Sequence, residues 1–504
     1  MKTHETRGKQ LKEKYKFHWN REITKVLILS FLLVSCSKDN LQPIIEDFYT
    51  GDFDIIDGYT DKLSYHIGDT IHLFLNTEQD TMALITINDI NGNEVWGQTK
   101  QILNQNITNE KPWKDGFGYD TTISIVLNEN KFETGVFFTN INNIPIIIKK
   151  QPYESTNLLI VLPTNTMHAY TTSGGKSFYY DFILGREVAD ELSFLRPYRN
   201  YDQRRGSVVE KLRVRPGISW LFNEGYDCNF ISDYDMENKN YALNSDIIVI
   251  VGHSEFWSKK ARMNFDNHVD NGKNALILSG NTMWKQIDFE ENGKKMYSYT
   301  DDHPEKNIYP DRLTSGFSGI QSTNNYTEIG QFYETSEYPV YPSIGADWWN
   351  GGYGYGGNAD TIGFGLNQLG GYKILDNHSA LFNGTGIEVN DIFNIPTREF
   401  DGCLVKDFDQ DGNPKFDTTL FHKINYYGYN IVNLSDNGVK LNYSALFAFQ
   451  KSISSGVIIN TSSQDWCYET GLGSSHKNAV VINKITKNMI DVLQQNNASE
   501  ILFD

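Results

Sequence analysis

An imidazole and a carboxylate stand close together in the sequence, directly after an apolar run. His253 and Glu255 follow the run at 247–251 and lie two residues apart. In extended backbone such residues face the same side, so both side chains can enter one pocket, where one holds a metal ion and the other moves a proton. The alternative is that Ser254 and Glu255 cap the next helix, where the helix dipole favours an acid. The spacing leaves both interpretations open.

Polar residues also follow three other apolar runs. The runs lie at 158–162, 228–231 and 275–278. The polar segments after them lie at 163–170, 232–235 and 279–281. Unbroken apolar runs are typical of strands buried on both faces, and helical patterns between them predict a parallel sheet with right-handed crossovers. Because ligands bind beyond the carboxyl ends of such strands, we expect these segments to meet at one edge.

The elements that position these residues are predicted to form an all-β domain followed by an α/β domain. Short alternating runs such as 70–75 and 83–87 predict an Ig-like β-sandwich over residues 51–152. Residues 153–504 are predicted to form an α/β domain with a mostly parallel sheet, flavodoxin-like or glutamine-amidotransferase-like, and β-rich insertions. Its helices are predicted at 208–223, 259–269 and 480–493.

The composition excludes several classes of protein. The chain has 504 residues, enough for about three domains, and its 39 % hydrophobic and 13 % aromatic content excludes wholesale disorder. A net charge of −18 argues against a nucleic-acid partner bound through a basic face. The Gly-x-Ser-x-Gly, His-Glu-x-x-His and Walker motifs are absent from the sequence.

The N-terminus is predicted to be an export and anchoring signal. Basic residues dominate 1–25, and the apolar run at 26–34 is too short for a bilayer core of about 30 Å. The run ends in Leu-Val-Ser followed by Cys36, which resembles a bacterial lipobox. We expect a signal peptide at 1–35, lipidation of Cys36 and a tether at 36–50, so that the exported protein is anchored to the cell envelope, at the outer membrane or cell surface. The alternative is an ordinary secretory signal with a chance cysteine.

Glycine and cysteine content leads to two smaller expectations. The segment at 348–357, rich in Trp, Tyr and Gly, is predicted to be a loop because Gly at this density does not favour regular structure. Cys228, Cys403 and Cys467 are an odd number in an exported chain, which predicts at least one free thiol and leaves a Cys228–Cys403 pair open.

An acidic segment resembles the first half of a calcium loop. Asp407, Asp409 and Asp411 alternate with other residues, but the twelfth position is Thr418, where an EF-hand needs Glu. This favours an Asp-Gly turn in a β-hairpin over a calcium site, although Asp417 would complete a looser one.

Segments spread over residues 55–480 together resemble the large subunit of N,N-dimethylformamidase and its wider family. In the first domain they are Gly-Tyr-Thr-Asp-Lys-Leu-Ser at 58–64 and Gly-Asp-Thr at 68–70. In the second domain they lie at 169–170, 174–179, 220–221, 225–227, 252–258, 280–281 and, as a weaker match, 398–402. The most specific part is His-Ser-Glu-Phe-Trp at 253–257, in register with its strand and with Gly-Asn at 280–281.

The resemblance implies an amidohydrolase with one iron ion, expected to be ferric. Its ligands would be two tyrosinates, Tyr170 and Tyr179, and the carboxylate of Glu255. Tyr180 is a rival for Tyr179, because the loop between the two tyrosines is shorter here than in the family enzyme. Hard anionic oxygens of this kind suit ferric iron.

The resemblance also implies three catalytic side chains. His253 or Glu399 would move a proton to the leaving amine, and Asn281 would hold the substrate carbonyl or the developing oxyanion. The substrate would be a small amide or another C–N bond, and the partner a small accessory subunit or a second copy of the chain. The alternative function is an envelope-anchored protein that binds glycan or peptide through the aromatic segment at 348–355.

Overall fold

A computed structural model shows most of the chain beyond the N-terminal segment. The residues that it describes are 56–179, 188–198, 214–290, 292–298, 338–353, 370–396, 399–433, 441–468 and 471–503. They belong to one compact unit at 54–504. The predicted signal peptide, tether and Cys36 lie outside the described residues, as does Tyr180. Within the described residues, we find no helix that combines the length and the apolar character needed to span a membrane.

The first described residues form two packed β-sheets. Their strands are β1 Ile56–Thr60, β2 Ser64–His66, β3 Thr70–Thr77, β4 Thr81–Asn88, β5 Glu94–Ile102, β6 Ile123–Val126, β7 Gly135–Thr139 and β8 Pro145–Lys149, with helix α1 at Pro112–Asp115. One sheet has the order β1-β3-β6 and the other β2-β8-β7-β4-β5. Residues on alternate positions of β3 are buried, and they share one core with Ile85 and Ile87 of the other sheet. The strands predicted at 70–75 and 83–87 are confirmed.

The rest of the chain alternates strands with helices and then becomes strand-rich. The strands are β9 Thr156–Leu162, β10 Glu191–Ser193, β11 Cys228–Ser232, β12 Ser245–His253, β13 Phe256–Ser258, β14 Asn274–Gly280, β15 Lys285–Phe289, β16 Lys295–Tyr297, β17 Asp347–Tyr353, β18 Gly370–Ile374, β19 Ile392–Pro396, β20 Glu399–Gly402, β21 Val405–Phe408, β22 Pro414–Phe416, β23 Lys423–Asn433, β24 Leu441–Gln450 and β25 Val457–Asn460. The helices are α2 Thr164–Tyr170, α3 Arg215–Asn223, α4 Lys239–Leu243, α5 Lys259–Asp270, α6 Tyr341–Ile344, α7 Ala479–Leu493 and α8 Ala498–Phe503.

The largest sheet is half parallel and half antiparallel. Its path runs β11-β9-β12-β14-β25-β24-β23-β17-β20, and β18 and β19 join it through β23. The strands from β11 to β25 are parallel, and the others pair antiparallel. The four predicted apolar runs are β9, β11, β12 and β14, but the prediction of a mostly parallel sheet is wrong for the sheet as a whole. The reason is that the insertion between β14 and β25 adds its own antiparallel strands to the edge of β25.

Helices cover both faces of this sheet. Helices α3 and α7 pack on one face through Leu221, Ile485 and neighbouring residues, and α5 packs on the other through Phe265 and Val269. The predicted helices at 259–269 and 480–493 are confirmed within one residue at each end. The predicted helix at 208–223 ends at Asn223 as expected, but it begins at Arg215, because Val214 before it is the cap residue and lies outside the helix.

Strand β17 corrects the prediction of a loop at 348–357, since Asp347–Tyr353 pairs antiparallel with β20. Residues 354–357 lie outside the described part. The glycines serve close contact between strands, because a Cβ on Gly351 would overlap with the Phe400 carbonyl oxygen. A Cβ on Gly402 would likewise overlap with the Asn350 carbonyl oxygen.

The acidic segment and the cysteines have simple structural settings. Strands β21 and β22 pair antiparallel around a turn in which the Asp409 carboxylate accepts hydrogen bonds from the main-chain N–H groups of Asp411 and Asn413. This is the hairpin that the Asp-Gly pattern favours. All three described cysteines are buried and free, so no Cys228–Cys403 bond is present.

Candidate functional site

Two phenols converge on one carboxylate oxygen. Tyr170 donates its hydroxyl to Oε2 of Glu255 at 3.1 Å, and Tyr179 donates to the same oxygen at 2.5 Å. The centroids of the two phenol rings are 4.1 Å apart. The Glu255 side chain is almost completely buried, with 2 % of the residue exposed. The oxygen atoms of two phenols and one carboxylate therefore meet at a single buried point.

The ends of β9 and β12 place these donors. Helix α2 follows β9 and ends at Tyr170, and its Thr166 hydroxyl accepts hydrogen bonds from the main-chain N–H groups of Glu255 and Phe256. Asp233 follows β11. Its side chain accepts hydrogen bonds from the Thr164 hydroxyl and the Asn165 main-chain N–H, both in the first turn of α2. Glu255 is thus held between β12 and β13 by the helix that carries Tyr170.

The alternative that Ser254 and Glu255 cap a helix is wrong. Helix α5 begins at Lys259, and its cap is Ser258, whose hydroxyl accepts the Ala261 main-chain N–H at 3.1 Å. Glu255 lies before β13, which separates it from the helix. Its carboxylate is therefore free of any capping role.

Three further side chains extend the cluster from Glu255. The Nε2 atom of His253 lies 3.3 Å from Oε2 of Glu255 and 3.2 Å from Oε2 of Glu399. The Nδ2 atom of Asn281 donates to the same Glu399 oxygen at 3.0 Å and lies 3.3 Å from His253 Nε2. All six side chains singled out in the sequence therefore form one connected cluster, and their roles stay predictions.

Backbone contacts between β14 and β20 bring Glu399 to this edge. Gly280 allows the approach, because a Cβ there would lie 2.7 Å from the Glu399 carbonyl oxygen. Asn281 follows with φ of +53°, a left-handed conformation that is uncommon outside glycine. Both carboxyl oxygens of Asp401 lie 3.2 Å from the main-chain N of Thr282. Asp401 therefore fixes the turn that carries Asn281.

Asp401 was not among the residues predicted from the sequence, although it lies in the weaker match at 398–402. The only available signal was its spacing of two from Glu399 in a strand, which does not reveal a partner 119 positions away. Burial raises the pKa of the Asp401 carboxyl to about 8, so this group keeps its proton at neutral pH.

Burial and the charge of Glu255 raise the pKa of the Tyr179 phenol well above its usual value. This phenol is therefore a neutral donor to the Glu255 carboxylate. In the part of the chain that the structure describes, no group of three or more His, Cys, Asp and Glu residues is arranged to hold a metal ion. Tyrosine is not one of these residue types, and the two side chains that donate hydrogen bonds to Oε2 of Glu255 are the phenols of Tyr170 and Tyr179.

Other predicted features lie elsewhere. Trp348 of the aromatic segment is 9 % exposed and Trp349 is 37 % exposed, both on β17, whereas Tyr355 lies outside the described residues. A buried indole offers no face for stacking on a sugar, so the glycan-binding alternative has little support from Trp348.

The fold and this cluster define a mixed α/β, strand-rich protein with several sheets and a buried site of tyrosine, glutamate and histidine. The family model described as "N,N-dimethylformamidase beta subunit-like, C-terminal" matches residues 130–478. This match covers more than half of the chain and all six side chains of the cluster, so the chain belongs to this family. Among curated proteins, none matched the chain.

Proposed function

We propose that this chain hydrolyses a small amide at a site where Tyr170, Tyr179 and Glu255 hold one ferric ion. The observation that carries the proposal is the convergence of both phenol oxygens on Oε2 of Glu255, at 3.1 and 2.5 Å. The name of the family supports hydrolysis of an amide C–N bond.

The chemistry of the donor set fits a ferric ion. Phenolate and carboxylate oxygens are hard anionic ligands, and the raised pKa of Tyr179 means that only a strong Lewis acid would displace its proton. When bound, such an ion would act as a Lewis acid that polarises a carbonyl group and lowers the pKa of water.

Around this set, the chain's own residues handle the proton. His253 Nε2 lies within 3.3 Å of carboxylate oxygens of both Glu255 and Glu399, so the imidazole and Glu399 are the groups that pass a proton to the leaving amine. Asn281 orients Glu399 through Nδ2. Its buried Oδ1 has no hydrogen-bond partner among the described residues, and as an acceptor it suits a substrate N–H rather than the carbonyl or oxyanion that the resemblance implies.

The order of the parallel strands supports the location of this site. The parallel strands β9, β11, β12, β14 and β25 can be numbered 1 to 5 along the chain. Their order across the sheet is then 2-1-3-4-5, which is the flavodoxin-type order. Such sheets bind ligands beyond the carboxyl ends of the strands at the switch point between strands 1 and 3. Tyr170 follows β9 and Glu255 follows β12. We accordingly propose a flavodoxin-like parallel half. The two sheets packed around one core in the first described residues separately support an Ig-like sandwich.

The test is the metal content and visible spectrum of the purified chain beside its Glu255→Gln variant. We expect stoichiometric iron and a phenolate-to-iron charge-transfer band in the parent chain, and the loss of both in the variant. A variant that keeps iron and turns over small amides would overturn the ligand set.

We also propose that Cys36 is lipidated and anchors the exported chain to the cell envelope. The lipobox-like sequence before Cys36 supports this, and the subunit named in the family description supports an accessory subunit or a second copy as partner. Membrane fractionation of cells that produce the Cys36→Ala variant tests the anchor. A variant that stays in the membrane fraction would contradict it.

A further inference from the structure

One arginine holds the segment that joins the two tyrosines. The Arg196 side chain is completely buried and donates hydrogen bonds to five main-chain carbonyl oxygens. Nε donates to Ser193 at 2.9 Å, Nη2 to His168 at 2.6 Å, and Nη1 to Thr171 at 2.9 Å, Ser173 at 3.0 Å and Lys176 at 3.1 Å. All of these acceptors except Ser193 lie between the last turn of α2 and residue 176, shortly before Tyr179.

Arg196 and Glu255 flank two strands of the same small sheet. Its order is β10-β16-β15-β13. Strand β10 ends at Ser193, three residues before Arg196, and β13 begins directly after Glu255. The guanidinium therefore ties the tyrosine-bearing segment to the sheet that presents the carboxylate.

The segment combines two glycines in left-handed conformations with close contacts to other parts of the chain. Gly174 and Gly175 have φ of +82° and +106°. Glycine adopts such left-handed conformations easily because it has no Cβ. Next to helix α1, a Cβ on Gly174 would lie 2.5 Å from the main-chain N of Trp113, so the main chains touch there. The rigid planar fork of Arg196 orients several carbonyl groups at once, which a flexible ammonium group does not do.

We infer that Arg196 is a positioning residue that sets the separation of the Tyr170 and Tyr179 phenol oxygens around Glu255, and thereby the affinity of the site for ferric ion. The part of this inference that concerns ferric affinity rests on the proposed function. The part that concerns the placement of the phenols does not. The two parts are therefore tested by different measurements on the same variants.

The test compares Arg196→Lys with Arg262→Lys in the full chain. Arg262 is the matched control, because it is also completely buried and donates hydrogen bonds to the carbonyls of Tyr338 and Pro339 and to the Ser343 hydroxyl, none of which belongs to the cluster around Glu255. Arg196→Lys should weaken ferric binding by about tenfold to a hundredfold and shift the charge-transfer band. Arg262→Lys should lower thermal stability and leave both unchanged.

A second readout needs no iron. In metal-free protein labelled with 3-fluorotyrosine, the ¹⁹F resonances of Tyr170 and Tyr179, assigned with Tyr→Phe variants, should shift in Arg196→Lys and not in Arg262→Lys. If the parent chain binds no iron, the ligand set is wrong and these resonances alone decide on Arg196. Unchanged resonances in Arg196→Lys would overturn the inference. If this variant does not fold, Arg196→Gln, which keeps N–H donors without the buried charge, is subjected to the same measurements.

Discussion

The side chain of Asn281 donates to Glu399 at 3.0 Å although 118 positions separate the two residues in the chain. Asn281 follows β14 in the parallel half of the large sheet, and Glu399 begins β20 at the antiparallel end of the strand path. The candidate site therefore needs both halves of the sheet, and its carboxylates come from segments with no local relation in the sequence.

Replacing Glu399 with Gln should lower kcat and leave the iron in place. The Glu399 carboxylate lies 3.2 Å from the His253 imidazole, so it is assigned to proton transfer, which contributes about 10²–10⁴-fold to a rate. Turnover of a panel of small amides and the iron content are measured together. The exposed Glu388→Gln serves as control. Loss of iron in Glu399→Gln would assign this residue to the metal instead.

The two neighbouring tyrosines should differ in their importance. Tyr179→Phe removes the hydroxyl that lies 2.5 Å from Glu255 and should abolish or strongly shift the charge-transfer band. Tyr180→Phe is the matched control and should keep the band of the parent chain. Visible absorption of both variants after titration with ferric ion checks this. The opposite result would give the ligand role to Tyr180.

Asp401→Asn should change how stability depends on pH. The carboxyl has a folded pKa of about 8 against an ordinary value of 3.8, so it stays protonated in the folded chain while the unfolded chain releases the proton. Unfolding of the parent chain is therefore favoured as pH rises between these values, by at most about 1.4 kcal/mol per pH unit for this group. Asparagine has no proton to release, so its stability relative to the parent should increase from pH 5 to pH 8.

Urea unfolding of both chains at pH 5, 6.5 and 8 measures this difference. The asparagine keeps an acceptor for the Thr282 N–H, so the turn that carries Asn281 is expected to persist. A difference between the two chains that is the same at all three pH values would show that Asp401 ionises normally in the folded state.

Gly402→Ala should destabilise the sheet and displace Glu399. The added methyl group would overlap with main-chain atoms of Asn350 and Gly351, which move less easily than the end of a flexible side chain. We therefore expect the free energy of unfolding to fall by about 1–3 kcal/mol or more. Gly135→Ala in β7 is the control, because its Cβ would make only ordinary contact at 3.6 Å, and its effect should stay below about 1 kcal/mol. Urea unfolding and turnover are compared, and equal effects would contradict the close contact between β17 and β20.

The parallel half was predictable because burial on both faces leaves a simple pattern. The apolar run at 247–251 is completely buried in β12, and the polar residues after it lie at the expected edge. The antiparallel half was not predictable in this way. The glycines of β17 suggested a loop, since a sequence does not show whether a missing side chain provides flexibility or makes room for a neighbouring strand.

The candidate site shows the same division. Spacing alone indicated His253 and Glu255, but the tyrosines came from the family resemblance, because two phenols among many have no distinguishing pattern. Arg196 was not predictable. The five acceptors described above are main-chain carbonyl groups, which every residue carries, so no residue type reveals these contacts.

The insertion between β14 and β25 has a consequence for biosynthesis. The last parallel strand, Val457–Asn460, pairs with Asn274–Gly280, and the Thr461 hydroxyl bonds to the Ile277 carbonyl across 184 positions. Until the ribosome has made this distant strand, the edge of β14 lacks its parallel neighbour, and such non-local pairing is slow because a long loop must close first. A nascent chain that stops before residue 457 exposes an open strand edge, which makes it a target for chaperones and a nucleus for aggregation.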